Sequence, residues 1–169
     1  MPGLTQFIGV GNPFRSDDGA GLAVARRLRK EIPPGVTASE ETGDGAELLE
    51  AWSGAQAVVL VDAVQSGAPP GTIHRLDARA EKLPAWFSHC STHAFGVAEA
   101  IELGRTIGEL PAQLVVYGIE GLDFSAGTEL SPEVAEAVAP AAKLILEELR
   151  RLPSAQRGPG APEPPAERK

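Results

Sequence analysis

The sequence predicts an α/β fold of three layers, in which a mostly parallel, twisted sheet of about five strands lies between helices. Strand-like apolar runs alternate with segments of helical periodicity along the 169 residues, as in a sheet covered on both faces. The run at residues 57–61 is continuously apolar, as in a strand buried on both faces. With 43% hydrophobic residues, a chain of this length fills one core, so we expect one domain over residues 1–152.

The same patterns give the elements in chain order. Strands are predicted over residues 6–11, 36–41, 57–61, 71–76 and 114–119. Helices are predicted over residues 18–30, through Leu48 and Leu49, over residues 93–103, and from Pro132 onward. Acids begin the first helix and arginines end it, which suits the helix dipole. Residues 71–76 are expected at a sheet edge because the preceding link is too short for a helical crossover. The last helix has Ser131 as N-cap and Pro140 as the cause of a bend.

Composition limits the possible partners and the compartment. The formal charge of −8 and the pI near 4.9 exclude a basic surface for nucleic acid. Cys90 is the only cysteine, which excludes an intrachain disulfide and indicates a reducing cytoplasm. The sequence has neither a signal-peptide start nor a run long enough to insert into a membrane. Residues 153–169, rich in proline, alanine and glycine, are expected to form a disordered tail.

Three polar residues fall where α/β sheets bind ligands. Asp18, Asp62 and His93 stand at strand ends or at the starts of the following helices. Two carboxylates and one imidazole suit a divalent transition metal and leave positions open for water or substrate. Each residue also has a purely structural interpretation, since acids complement helix starts and cap turns. We therefore expect a site that recognises a metal by direct contact, which we call metal reading, only if the three side chains converge.

Other features leave alternatives open. The turn at residues 9–14 resembles a dinucleotide fingerprint, but Phe14 replaces its third glycine and the following acids would repel a pyrophosphate. Cys90 is either a thiol nucleophile or a small buried hydrophobe, and we leave it out of the site because such cysteines are usually buried. Residues 84–87 either pack in the core or line a substrate groove.

Several blocks of sequence resemble the hydrogenase maturation endopeptidases. Residues 9–21, GVGNPFRSDDGAG, are similar to the opening signature of that family, and residues 59–63 and 91–96 are similar to its aspartate and histidine blocks. The resemblance runs in order from residue 6 to residue 152. Gly121 departs from the pattern, because a proline often follows the equivalent of Glu120.

The resemblance implies both a site and a reaction. Asp18, Asp62 and His93 would contact the metal and carry catalysis. Substrate recognition would involve Asp17 and the turn Thr42, Gly43, Asp44 and Gly45. The reaction would remove the C-terminal extension of a nickel-iron hydrogenase large-subunit precursor after nickel insertion.

The resemblance also implies that no cofactor is resident. The substrate would supply the nickel, and zinc or cadmium would occupy the site only adventitiously. Water would be activated either by nickel as a Lewis acid or by Asp18 and Asp62 sharing a proton. The alternative from another class is a non-catalytic maturation factor that holds the nickel-loaded precursor.

Overall fold

A five-stranded sheet forms the centre of the computed structural model, which describes residues 3–153. The strands are β1 Leu4–Val10, β2 Val36–Glu41, β3 Ala55–Val64, β4 Ile73–Asp77 and β5 Gln113–Glu120. Their order across the sheet is β2-β1-β3-β5-β4, and only β4 is antiparallel to its neighbour. The predicted α/β class, the mostly parallel sheet and the edge position of β4 are confirmed. The predicted tail beyond residue 153 lies outside the described residues.

Four helices cover the two faces of the sheet. They are α1 Ala20–Leu28, α2 Gly45–Ala51, α3 Val97–Ile107 and α4 Pro132–Arg151. Helices α1 and α4 pack on one face against Val59 and Val61 of β3, whereas α2 and α3 pack on the other against Val58 and Leu60. This alternation explains why residues 57–61 are apolar at every position. Within the described part of the chain, no helix is long and apolar enough to cross a membrane.

Three predicted boundaries are wrong, and all three lie near the site. The predicted helix at 18–30 begins as a 3-10 turn, Ser16–Gly19, before α1. Strand β3 continues two residues beyond Asp62, because Ala63 and Val64 stay paired with β5. Helix α3 begins at Val97, so His93 lies in the preceding loop. Polar residues that favour helix starts also serve such turns and loops, and the sequence pattern alone does not separate the two.

Candidate active site

A cleft opens at the carboxyl ends of β1 and β3, and it contains all three predicted residues. From β1 the chain goes to β2 on one side, then returns to β3 on the other, so the two helical crossovers diverge at this point. Such a switch point leaves a crevice outside the strand ends. The cleft encloses about 390 Å³, including its solvent-open mouth, and its lining includes Asp18, Asp62 and His93. The predicted convergence is therefore present.

The tight turn after β1 brings the Asp18 side chain to the cleft. A Cβ on Gly11 would come 2.1 Å from the Asp18 carbonyl oxygen, so only glycine permits this approach. Ser16 has a left-handed φ of 54° and is held by its N–H bond to Gly127 O (2.9 Å). This uncommon conformation for a residue with a Cβ marks the start of the 3-10 turn that carries Asp17 and Asp18.

Asp17 and Asp18 are adjacent but serve different purposes. Asp17 is completely buried and accepts from the backbone N–H groups of Leu122, Asp123 and Ser131, and from the Ser131 hydroxyl, at 2.7–2.8 Å. Burial would raise the pKa of Asp17, but the N–H donors of Asp123, Ser131 and Leu122 outweigh it and leave the pKa below 3.8. The enclosed carboxylate gives Asp17 a structural role, and substrate recognition by Asp17 stays a prediction. Asp17 anchors residues 122–131 to the turn that holds Asp18.

Asp62 is the carboxylate with the most perturbed environment. It lies on β3 opposite Gly118 of β5, and its Oδ1 accepts from the Ala63 N–H at 2.8 Å. Burial, followed by the negative charge of Asp18, raises the pKa of Asp62 well above its ordinary range. Burial also raises the pKa of Asp18, although Arg15 and His93 oppose the shift. The charge of Asp18 therefore disfavours ionisation of Asp62, as expected for two acids that line one cleft.

His93 reaches the same cleft from the loop before α3. Its backbone N–H donates to Ser91 Oγ at 3.2 Å, and that hydroxyl in turn donates to the His93 carbonyl at 3.3 Å. Gly43 lies beside the imidazole, since an added Cβ would be 3.6 Å from His93 Cδ2, an ordinary contact distance, and its φ of 96° is what favours glycine there. The side chain is partly exposed, so it is open to a ligand entering the cleft.

Arg15 connects Asp18 to the loop that carries Cys90, and the sequence did not predict it as part of the site. Its Nη1 donates to the Cys90 carbonyl at 2.7 Å and lies 3.7 Å from Asp18 Oδ2. Its guanidinium also lies 5.5 Å from the centre of the Phe124 ring, within the range of a cation–π contact. The only sequence signal was a cation three residues before Asp18, a spacing that suits an ion pair across one turn.

Cys90 also lines the cleft, although the sequence argument left it out. It is buried, and its thiol donates to the Ala63 carbonyl at 3.2 Å. Burial, together with the charges of Asp62 and Asp18, raises the pKa of Cys90 to about 12. A thiol with that pKa stays protonated near neutral pH and is a poor nucleophile. The interpretation of Cys90 as a small buried group is therefore the one that its environment supports.

The glycine turn divides between the cleft and the start of α2. Thr42 and Gly43 line the cleft. Asp44 caps α2 by accepting from the N–H groups of Ala46 and Glu47, and the Gly45 N–H donates to the Phe95 carbonyl at 2.8 Å. Asp44 and Gly45 thus have structural roles, and substrate recognition by the turn stays a prediction.

The cleft provides donor atoms for a metal, but they do not form a complete set of closely grouped ligands. Across residues 3–153, no three His, Cys, Asp or Glu side chains are grouped closely enough to hold a metal ion by themselves. Asp18, Asp62 and His93 nevertheless line one cleft, where they supply oxygen and nitrogen donors. Donors of these types suit a divalent transition metal.

Comparisons with known proteins agree with this fold. The chain is 29% identical over 147 residues to the hydrogenase 2 maturation protease of Escherichia coli K12, an alignment that covers 85% of this chain and 88% of that protein. It is 27% identical over 150 residues to the hydrogenase expression/formation protein HupD of Thiocapsa roseopersicina, covering 86% and 67% of the two chains. The solution structure of an endopeptidase from Escherichia coli superposes with a TM-score of 0.77 at 27% identity, covering 87% of this chain and 92% of that one.

The family model described as hydrogenase maturation protease matches residues 24–148. That match covers well over half of the 169 residues and includes Asp62, His93 and every strand from β2 to β5. The chain belongs to the hydrogenase maturation protease family.

Proposed function

We propose that this endopeptidase cleaves its hydrogenase large-subunit precursor only after nickel insertion, and that Asp18, Asp62 and His93 read the metal within the substrate. The observation that carries the proposal is the convergence of these three side chains in one cleft at the switch point of the sheet. Their donor atoms suit nickel that is already held in part by the precursor. Contact with nickel would then place the scissile C-terminal peptide bond in the cleft.

Asp62 is our candidate for the proton transfer that peptide hydrolysis requires. Its raised pKa, caused by burial and by the charge of Asp18, favours the protonated form of Asp62, so that the two carboxylates would hold one proton between them. The ionised member would take a proton from the attacking water, and the protonated one would give a proton to the departing amine. The alternative route has nickel acting as a Lewis acid on the scissile carbonyl, and there Asp18 and Asp62 would contact the metal as ionised carboxylates.

The metal in this proposal belongs to the substrate, so the enzyme needs no resident cofactor. Zinc or cadmium would bind the same donors only adventitiously. We place the reaction in the cytoplasm, where the single, unpaired Cys90 stays reduced. Because the family is one of proteases, catalysis is favoured over a non-catalytic factor that merely holds the precursor.

Intact-mass spectrometry of the precursor tests the proposal. The large-subunit precursor encoded beside this chain would be incubated with the protein, with and without nickel loading. We expect a short C-terminal peptide to be lost from the nickel-loaded form alone. Equal cleavage of both forms would refute nickel reading, whereas stable binding of the loaded form without cleavage would favour the non-catalytic factor.

A further inference from the structure

A second groove continues from the active-site cleft along α3, and its function is unassigned. We call it the α3 groove; its walls are residues 82–85 and Ser88 on one side, and Ala98, Glu99 and Glu102 of α3 on the other. Ser88 and Ala98 also line the active-site cleft, so the two depressions share a wall. The α3 groove encloses about 730 Å³, including its open side. A chain that crosses Ser88 and Ala98 from the cleft would therefore reach the α3 groove.

The walls of the α3 groove are fixed by contacts behind them. The Trp86 ring packs against His74 of β4, with 4.9 Å between the ring centroids. Glu99 accepts from the Gly96 N–H at 3.0 Å and from the Ser88 hydroxyl at 3.4 Å, which ties the 3-10 turn Ala85–Ser88 to the start of α3. A groove that is already formed loses little conformational entropy when it takes up a peptide.

The chemistry of the α3 groove suits uncharged side chains. Leu83, Pro84 and Ala98 provide apolar surface between the cleft and the open end. The two acids of α3 already have partners, because Glu99 bonds to Gly96 and Ser88, and Glu102 lies 3.4 Å from Arg105. Lys82 adds one positive charge to the lining. Apart from a side chain that pairs with Lys82, the groove therefore fits an extended peptide with small or apolar side chains better than a charged one.

We infer that the α3 groove binds the C-terminal extension of the precursor just beyond the scissile bond, an inference that rests on the proposed function. The nickel-bearing side of the bond belongs to the body of the precursor and must face Asp18, Asp62 and His93. The extension is the part of the substrate that can lie as a single extended chain, and the α3 groove is the depression that shares a wall with the cleft. Binding there would hold the bond across the site.

Steady-state cleavage of nickel-loaded precursor by Ala85→Arg tests this inference. Ala85 is exposed, lines the α3 groove and does not line the cleft, so arginine there obstructs the groove without touching the three site residues. Ala139→Arg, on the exposed face of α4, is the matched control. We expect KM to rise about tenfold in Ala85→Arg with kcat within about twofold, as for loss of uniform binding, and no change in the control.

A second substrate separates groove binding from other effects. In this nickel-loaded precursor the extension is cut to two residues, and we expect Ala85→Arg and the unaltered protein to have equal KM values on it. An unchanged KM for Ala85→Arg on the full extension, or an equal defect on the shortened one, would overturn the inference. Failure of the unaltered protein to cleave any nickel-loaded precursor would instead refute the proposed function.

Discussion

Replacing Asp17 with asparagine should destabilise the folded protein strongly while the conformations of Asp18, Asp62 and His93 stay the same. The Asp17 carboxylate accepts four hydrogen bonds, and hydrogen bonds to a charged acceptor contribute roughly 1.5–3 kcal/mol each, against roughly 0.5–1.5 kcal/mol for neutral ones. Asparagine keeps one oxygen for the donors that reach Oδ2, but its amide faces the Ser131 N–H, which then loses its acceptor. We expect a loss of about 3 kcal/mol, or roughly 6–12 °C in Tm.

The pH dependence of this loss identifies its cause. The pKa of Asp17 lies below 3.8 in the folded protein, so its contribution is complete above about pH 4 and disappears as the pH falls through the folded value. Urea unfolding of the unaltered protein and Asp17→Asn should therefore differ most at neutral pH and converge in acid. Asp123→Asn, at an exposed carboxylate on the same loop, is the control. A difference below about 1 kcal/mol at pH 7, or one independent of pH, would refute the reasoning.

Substitutions at four positions test the site. Asp62→Ala and His93→Ala should each lower kcat/KM by about 100-fold or more. Their Tm should stay within a few degrees of the unaltered protein, because neither side chain belongs to the apolar core. Full processing by either variant contradicts the assignment of these residues to the site. Cys90→Ala should keep kcat/KM within about threefold of the unaltered protein. The native Cys90 thiol, whose pKa is raised to about 12, should resist alkylation by iodoacetamide, and rapid alkylation would show that it is reactive. Arg15→Lys should lower kcat/KM about tenfold, and Arg15→Ala should lower it further, since lysine keeps the charge near Asp18 but not the planar guanidinium that lies over Phe124 and bonds to the Cys90 carbonyl. Equal activity in all three proteins would remove Arg15 from the site.

The order of elements and the edge strand could be predicted because hydrophobic periodicity reports directly on burial. Residues 57–61 are apolar at each position because β3 packs against helices on both faces. The short link before β4 likewise ruled out a helical crossover and predicted its position at the sheet edge. These features depend on local sequence, so a single amino-acid sequence is sufficient to predict them.

The sequence could predict which three side chains line the cleft, but not the contacts that hold the surrounding loops in place. Asp18, Asp62 and His93 are polar residues beside apolar strands, and that contrast is visible in sequence. The enclosure of Asp17 depends on residues more than 100 positions away, at Leu122 and Ser131, which no local pattern reveals. The Ser131 hydroxyl donates to Asp17, and no capping hydrogen bond of its side chain to α4 is present, although its position as N-cap was predicted correctly.

Nickel K-edge absorption of the nickel-loaded precursor tests most directly whether the three residues read the metal. The precursor would be measured alone, in complex with Asp62→Asn to slow cleavage, and in complex with the same variant carrying His93→Ala as well. Binding to Asp62→Asn should add an imidazole nitrogen to the nickel coordination shell, and that nitrogen should be absent when His93 is replaced. A nickel spectrum that stays the same in all three samples would contradict metal reading by this site.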